Sequence, residues 1–207
     1  MSINGKPVSD PGLYDLLQLL KQDVLKTLNC AKVGMIQSFD SAKKTAVVQI
    51  AFKIVRPNGT LQSYPVLVDC PIYTPQGGGA ALTFPITAGD ECLVLFSDSN
   101  LDAWYFSGGQ AAPYDNRVHD LSDAIVLVGL NSLAGVVVSY LTNEVALQYL
   151  GAKVGLKGGR ATVQNATKNL STILSTVFTA LAADPALSAG TVTALTTAVT
   201  DLGVLLY

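Results

Sequence analysis

The chain has 207 residues, of which 49% are apolar and only 14% are charged, and its formal net charge is −2. Soluble chains typically carry about 25% charged residues, so this composition predicts surfaces that are buried against other chains or face something apolar. Nucleic-acid binding normally requires a basic stripe that neutralises phosphates, which the acidic balance disfavours. We therefore interpret the basic residues around two predicted strands as a solvated face; they are Lys43, Lys44, Lys53 and Arg56.

The cysteine pattern argues against cross-linking and metal binding. Cys30, Cys70 and Cys92 are far apart and form no CxxC pair, so neither a disulfide framework nor a zinc site is expected. We expect each thiol to be a small buried hydrophobe in a chain that is made in a reducing cytoplasm. We also expect no signal peptide and no membrane-spanning segment.

Residues 1–32 are predicted to be an N-terminal helical segment, with one amphipathic helix over residues 10–28. Asp10 is suited to cap this helix and Pro11 to occupy its first turn. Its apolar stripe follows the helical period and is formed by Leu13, Leu17, Leu20, Val24 and Leu28. Such a helix could lie on the following domain or join its copies in an oligomer, although it is shorter than the three heptads that indicate a coiled coil.

Residues 33–130 read as a β domain of short strands separated by turn residues. The predicted strands are Val33–Ile36, Thr45–Val55, Tyr64–Val68, Ala80–Phe84, Glu91–Phe96, Ala103–Phe106 and Ala124–Val128. Turns are predicted at Asp40–Lys43 and at Pro57-Asn-Gly59. This spacing, without an intervening helix, is typical of a small barrel or sandwich.

The rest of the chain divides into a β ribbon and a helical end. Residues 131–164 carry very short predicted strands at Val136–Val138, Val145–Leu147, Ala152–Leu156 and Ala161–Val163. One chain could not bury both faces of such a ribbon, so stacking against neighbours or winding of three copies is expected. Residues 165–207 predict two helices that Asp184-Pro185 separates, and their scarcity of charge indicates packing in a bundle or against another protein.

No catalytic constellation emerges, so we expect neither an enzyme nor a cofactor or metal site. The lone His119 lies beside Asp120 before a strand, and without a GxSxG-type motif a structural role is the better interpretation. Gly77-Gly-Gly79 lacks the features of a phosphate loop and is interpreted as a loop tip. The carboxylates fall at turns and strand starts, which favours backbone bonding over an acid–base pair; they are Asp90, Glu91, Asp98, Asp102, Asp120 and Asp123.

Two motifs in the β domain carry a resemblance to a known family. They are Pro85-x-x-x-Gly-Asp90 and His119-Asp-Leu-Ser-Asp-Ala124, in this order. Further matching stretches are Val33–Asp40, Asp69–Ile72, Phe84–Phe96, Leu101–Trp104, His119–Ile125 and Gly129-Leu130. On these motifs, about half of the chain resembles the N-terminal OB-fold domain of the contractile-tail bacteriophage baseplate central spikes, the Mu-like spike proteins.

The resemblance implies a fold that is mainly β. An OB-fold barrel is expected to lead into a short trimeric β-prism or β-helix, with an N-terminal helix before them and a C-terminal helical hairpin after them. The implied protein is a homotrimeric virion component of the tail baseplate tip, which docks on the baseplate hub and helps puncture the host envelope. We assign the hub or oligomer contact to Leu13, Leu17, Leu20 and Val24, and helix packing in the C-terminal region to Leu170, Ile173, Val177, Leu181, Leu195, Val199 and Leu202.

One departure from the family concerns the tip. Many such spikes end in a His-x-His apex that holds iron, but no histidine follows His119, so we predict no apex metal. A helical end stands in its place, and we hypothesise that its apolar stripes make transient contact with the host membrane.

The alternative function is an OB-fold binding module for single-stranded nucleic acid or oligosaccharide. The sequence does not interleave basic and aromatic residues as such modules do, and we expect Trp104 to pack in the core. We therefore expect no nucleic-acid partner. A trimer in solution would favour the spike, whereas a salt-sensitive monomer that binds oligonucleotide would favour the module.

Overall fold

A computed structural model describes residues 2–3, 6–7, 12–56, 58–135 and 141–206. The chain divides into two compact units, residues 1–136 and residues 137–207. In the first unit the elements are β1 Ser2–Ile3, β2 Lys6–Pro7, α1 Leu13–Thr27, β3 Ala31–Asp40, β4 Thr45–Ile50, β5 Lys53–Val55, β6 Leu61–Ser63, β7 Leu67–Pro71, β8 Gln76–Gly77, β9 Ala80–Ala81, β10 Glu91–Phe96, α2 Asp102–Ser107 and β11 Ala124–Val128. In the second unit they are β12 Val145–Tyr149, β13 Ala152–Lys157, β14 Arg160–Gln164, α3 Leu170–Ala182 and α4 Ala189–Leu205.

A curled five-stranded antiparallel sheet forms the centre of the first unit. Its strand order is β11-β10-β3-β4-β7. The two edge strands approach each other where Ile72, just beyond β7, forms a parallel bridge with Val126 of β11. The backbone N–H of Tyr73 donates to the Val126 carbonyl at 2.8 Å. The sheet therefore curls until its two edges meet at this point.

The core of this unit lies on the inner face of the curled sheet. Ile36, Val48, Val94 and Val126 come from four of its strands and are all 0% exposed. They alternate with more exposed residues along each strand, as the two-residue period of a half-buried sheet requires. The other buried apolar residues of the cluster are Ala46, Ile50, Leu67, Cys70, Cys92, Phe96 and Ala124.

Gly34 allows close packing in this core. A Cβ placed on Gly34 would lie 2.6 Å from Val48 Cγ1 and 3.0 Å from Val94 Cγ2. Only a residue without a side chain allows β3 to pass between these neighbours at this distance.

Both predicted turns are present where the structure describes them. The Asp40 carboxylate accepts the backbone N–H groups of Ala42 and Lys43 at 2.9 and 3.1 Å. Gly59 has a φ of 79°, and its N–H closes the β5–β6 turn onto the Arg56 carbonyl at 2.8 Å. Pro57 lies outside the described residues.

Several predicted strands differ from the observed ones. The prediction of a strand at Ala103–Phe106 is wrong, because this segment is helix α2. The predicted Thr45–Val55 strand is two strands, since β4 ends at Ile50 and β5, which begins at Lys53, pairs with β6 in a separate sheet. The run at Ala80–Phe84 is a strand only over Ala80–Ala81. In place of Tyr64–Val68 the structure has β7 at Leu67–Pro71.

Helix α1 agrees with the helix that was predicted over residues 10–28, but it begins at Leu13, after the N-cap Gly12. The Asp15 carboxylate accepts the Gly12 N–H at 3.2 Å. This carboxylate also stabilises the positive N-terminal end of the helix dipole. The predicted cap Asp10 and the first-turn Pro11 lie outside the described residues.

The second unit combines a three-stranded antiparallel meander with two helices. The strand order is β12-β13-β14. Helices α3 and α4 pack on each other and confirm the predicted helical hairpin. Asn169 caps α3 by accepting the Ser171 N–H at 2.8 Å, and Ser188 caps α4 by accepting the Thr191 N–H at 3.2 Å. The strand predicted at residues 136–138 lies outside the described residues.

Candidate interaction surfaces

The α1 stripe, which we define as Leu13, Leu17, Leu20 and Val24, is exposed to solvent. The exposed fractions of these side chains are 75%, 55%, 61% and 50%. The less exposed residues of α1 lie on the other side of the helix; they are Asp15, Gln18, Leu19 and Gln22. A stripe of leucines that its own chain leaves uncovered is a candidate contact surface.

The connection between α1 and the sheet is held by a reciprocal pair of hydrogen bonds. The Asn29 side-chain amide donates to the His119 carbonyl at 3.0 Å, and His119 Nδ1 donates to the Asn29 carbonyl at 3.0 Å. His119 has a φ of 49°, and its backbone N–H donates to the Ser97 carbonyl at 3.2 Å. His119 therefore holds the connection between α1 and β3 against the segment that precedes β11.

Arg117 is the centre of a polar cluster beside α2. Its Nε donates to Asp123 Oδ2 at 2.7 Å, its Nη2 to Asp102 Oδ2 at 2.7 Å, and its Nη1 to Asp115 Oδ2 at 3.2 Å. The Asp123 side chain is 1% exposed and also accepts the Leu101 N–H at 2.8 Å. The hydrogen bonds that Arg117 donates to Asp123, and then those it donates to Asp102, raise the pKa of Arg117. The cluster ties α2 to the start of β11.

Two of the carboxylates that were predicted to bond the backbone at turns do so: Asp90 accepts the Thr87 N–H at 2.7 Å and Asp120 accepts the Ser122 N–H at 2.8 Å. A hydrogen bond from Asn100 lowers the pKa of Asp115, and hydrogen bonds from Ser122 lower the pKa of Asp120. Backbone N–H groups of Lys43 and Ala42 lower the pKa of Asp40. Each shift favours the charged form that accepts these bonds. The sequence did not predict the Asp123–Arg117 and Asp102–Arg117 pairs, which join residues on different elements.

The meander face is an exposed apolar surface of the second unit. It comprises the side chains on one face of β12, β13 and β14; they are Val145, Leu147, Tyr149, Ala152, Val154, Leu156, Ala161 and Val163. The register places Leu147 opposite Val154, and Val154 opposite Val163. These three side chains are 62%, 53% and 47% exposed. Apolar side chains thus form a continuous surface across all three strands.

The opposite face of the meander is polar and more covered. Lys153 Nζ lies 2.7 Å from Glu144 Oε1, and the two side chains are only 15% and 5% exposed. Thr162 on the same face is 1% exposed. The unit therefore covers its polar face and leaves its apolar face open, the reverse of an ordinary half-buried sheet.

The predicted packing residues of the C-terminal helices fall into two groups. Leu195, Val199 and Leu202 of α4 are half-buried. The α3 stripe, which we define as Leu170, Ile173, Val177 and Leu181, is 37–48% exposed. Threonine hydroxyls of both helices donate to carbonyls four residues earlier, at 2.8–3.2 Å; they belong to Thr176, Thr193, Thr196, Thr197 and Thr200. Because these hydroxyl groups donate within their own helices, they do not require water as a hydrogen-bond acceptor.

A shallow groove lies beside the end of the curled sheet. Its lining includes Phe39, Lys44, Tyr73 and Phe84, of which Tyr73 and Phe84 are 57% and 47% exposed. The glycine run Gly77-Gly-Gly79 lies at the β8–β9 turn, where Gly78 and Gly79 have positive φ.

For two single residues of the first unit, Trp104 and Cys30, the predicted burial is wrong. Trp104 lies on α2 and is 49% exposed, so it is not a core residue. Cys30 is exposed, whereas Cys70 and Cys92 are buried as predicted. Burial raises the pKa of Cys70 to about 12 and that of Cys92 to about 11.

Within the part of the chain that the structure describes, no three or more His, Cys, Asp or Glu side chains are arranged to hold a metal ion. No helix among the same residues is long and apolar enough to cross a membrane.

Comparison with known protein families supports the interpretation that the chain is a bacteriophage protein. Residues 33–129, just under half of the chain, match the family described as Phage protein Gp138 N-terminal domain. This match is consistent with a component of the virion. No curated protein matches the sequence significantly. The matched region contains α2, the Arg117 cluster and all of the curled sheet except the first two residues of β3.

Proposed function

We propose that the chain is a structural virion protein, the trimeric central spike at the tip of a contractile phage tail. In this role it docks on the baseplate hub and helps breach the host envelope without catalysing a reaction. The match of residues 33–129 to a phage protein family supports the phage context. The resemblance of the sequence motifs to the Mu-like spikes supports the position in the tail.

The observation that carries this proposal is the open meander face. Among the second-unit residues whose side-chain exposure is described, 141–202, 204 and 206, no apolar side chain reaches the burial of the core in the first unit. A region that buries so little apolar surface does not offset the conformational entropy lost on folding. Three copies that turn their meander faces toward a common axis would bury this surface in a β-prism.

The first unit is proposed to be an OB-fold domain. The strand order β11-β10-β3-β4-β7 and the bridge from Ile72 to Val126 support this assignment. They join five strands in the sequence of neighbours that a five-stranded Greek-key barrel requires. The structural contacts of His119 and Arg117 support a role that needs no active site.

The oligomeric state of the full chain tests the proposal directly. Mass measurement at micromolar concentration should give three times the 21.6 kDa of one chain. Leu147→Lys should dissociate the trimer, because it places a charge in the proposed interior. Gln148→Lys, on the neighbouring residue that faces the other side, should leave the mass unchanged. A monomeric wild-type chain would refute the trimer.

Position in the virion needs a separate experiment. Gold-labelled antibodies against the chain should mark the tail tip of the phage that encodes it in electron micrographs. Labelling of the head or of the whole tail length would contradict a central spike.

We further propose that the α3 stripe contacts the host membrane after sheath contraction. Its side chains are apolar and exposed, and the bonded threonine hydroxyls lower the cost of leaving water. The full chain should float with anionic liposomes, and Val177→Asp should reduce this binding. Thr179→Asp, on the other side of α3, is the matched control. Absence of flotation at every lipid composition would refute this contact.

A binding module is the second candidate, and the groove beside Tyr73 and Phe84 favours it. Exposed aromatic rings can stack on a base or a sugar. Titration with a single-stranded oligonucleotide and with an oligosaccharide, at two salt concentrations, separates the two functions. A monomer whose binding Tyr73→Ala abolishes would support the module over the spike.

A further inference from the structure

The α1 stripe is bordered by opposite charges on its two sides. At about 100° per residue, Lys21 falls beside the stripe on one border and Asp23 falls on the other. Both residues are exposed. The helix therefore has an apolar centre, a positive border and a negative border.

The remaining side of α1 is the one nearest to its own chain. Asp15, Gln18, Leu19 and Gln22 are half-buried there, and the helix lies beside β1. The stripe and its charged borders consequently face outward. An occupant of this surface must cover leucines at its centre and meet a different charge at each border.

Copies of the same helix satisfy both requirements. When parallel helices surround a rotation axis, the stripe of each faces the axis and the Lys21 border of each meets the Asp23 border of the next. Lys21 and Asp23 are two residues apart, so their axial offset is about 3 Å, which a lysine side chain spans easily. Charges beside the apolar seam select partner and orientation in this way in coiled coils.

The same charges disfavour the antiparallel arrangement. An antiparallel pair would place Lys21 against Lys21 and Asp23 against Asp23, and like charges repel. We propose that the α1 helices of neighbouring copies form a parallel bundle around the molecular axis, closed by Lys21–Asp23 pairs between chains. The number of helices in the bundle rests on the trimer proposed above, whereas the parallel self-contact of α1 does not.

Cysteine cross-linking in the full chain tests the contact. In a Cys30→Ser background, Leu20→Cys should form interchain disulfides on mild oxidation, as seen on a non-reducing gel. Gln18→Cys, which lies on the opposite side of α1, is the matched control and should stay uncross-linked. Equal cross-linking of the two variants, or none in either, would overturn the proposal.

Exchanging the charges of Lys21 and Asp23 tests whether the partner of α1 is a second copy of the same helix. Adding Lys21→Asp or Asp23→Lys to the Leu20→Cys protein should slow cross-linking by about threefold, since each creates a like-charge border. The two changes together should restore the original rate, because the exchanged charges again face each other. Failure of the double variant to recover would show that the borders do not meet each other, which would also overturn the proposal.

The mass measurement separates this inference from the proposed function. A trimer in which Leu20→Cys does not cross-link leaves the spike standing and removes the α1 bundle. A chain that is dimeric, but cross-links with the expected charge dependence, keeps the parallel bundle and removes the trimer.

Discussion

Replacing Asp123 with alanine should strongly destabilise the first unit. The Asp123 carboxylate is 1% exposed and accepts hydrogen bonds from Arg117 Nε at 2.7 Å, Arg117 Nη2 at 3.0 Å and Leu101 N at 2.8 Å. The variant leaves the Leu101 N–H without this acceptor and Arg117 without its most buried partner. Both losses occur at the junction that ties α2 to the sheet.

The expected loss in the free energy of unfolding follows from the burial of Asp123. Removing one partner of a buried ion pair costs about 3–5 kcal/mol, and an unsatisfied buried N–H costs about 1–3 kcal/mol. Arg117 keeps Asp102 and Asp115 as partners and is itself partly exposed, so the lower end of the first range applies. We expect a loss of about 3 kcal/mol for Asp123→Ala. Asp123→Asn should cost less, because its amide oxygen can still accept the Leu101 N–H.

Urea unfolding, followed by the fluorescence of Trp104, measures these changes. Trp104 is the single tryptophan of the chain and lies on α2, next to the cluster. Asp98→Ala is the control, since Asp98 is exposed in the loop between β10 and α2 and should change stability by less than about 0.5 kcal/mol. All variants are compared at one protein concentration. An Asp123→Ala protein as stable as Asp98→Ala would refute the importance of the cluster.

Two further predictions concern the core. Gly34→Ala should lower the free energy of unfolding by about 1–3 kcal/mol, because its Cβ would meet Val48 Cγ1 at 2.6 Å; Gly77→Ala, whose Cβ meets nothing within 4 Å, should be neutral, and equal midpoints in urea would contradict the packing argument. A thiol reagent at pH 8 should modify only Cys30 in the native protein, because the pKa values of Cys70 and Cys92 are raised to about 12 and about 11. All three thiols should react in urea, and fast native modification of Cys70 would show that the core opens.

The sequence predicts helices better than strands in this chain, for physical reasons. The stripes of α1, α3 and α4 repeat over several turns, and cap residues such as Ser188 lie within the same segment. The wrong strand at Ala103–Phe106 arose because Trp104, Tyr105 and Phe106 favour β structure locally. The helix there is stabilised by Asp123, which accepts the Leu101 N–H from 22 residues further along the chain. A contact between residues so far apart in the chain cannot be predicted from the local sequence pattern.

The candidate surfaces were foreseeable only in part. The α1 stripe is evident from helical spacing, whereas the strands of the meander were predicted without a shared apolar face. That the three strands present one shared apolar face depends on their register, which pairs Leu147 with Val154 and Val154 with Val163. A shift of one residue would have dispersed the same side chains over both faces.

The bridge between Ile72 and Val126 has a consequence for the order of folding. The two residues are more than fifty positions apart in the chain, so forming this contact requires closure of a long loop before any gain from it. The β3–β4 hairpin, whose strands are adjacent in sequence, can form much earlier. During synthesis the edge of β7 remains without its neighbour until β11 has left the ribosome, and this interval is when the chain is most open to mispairing.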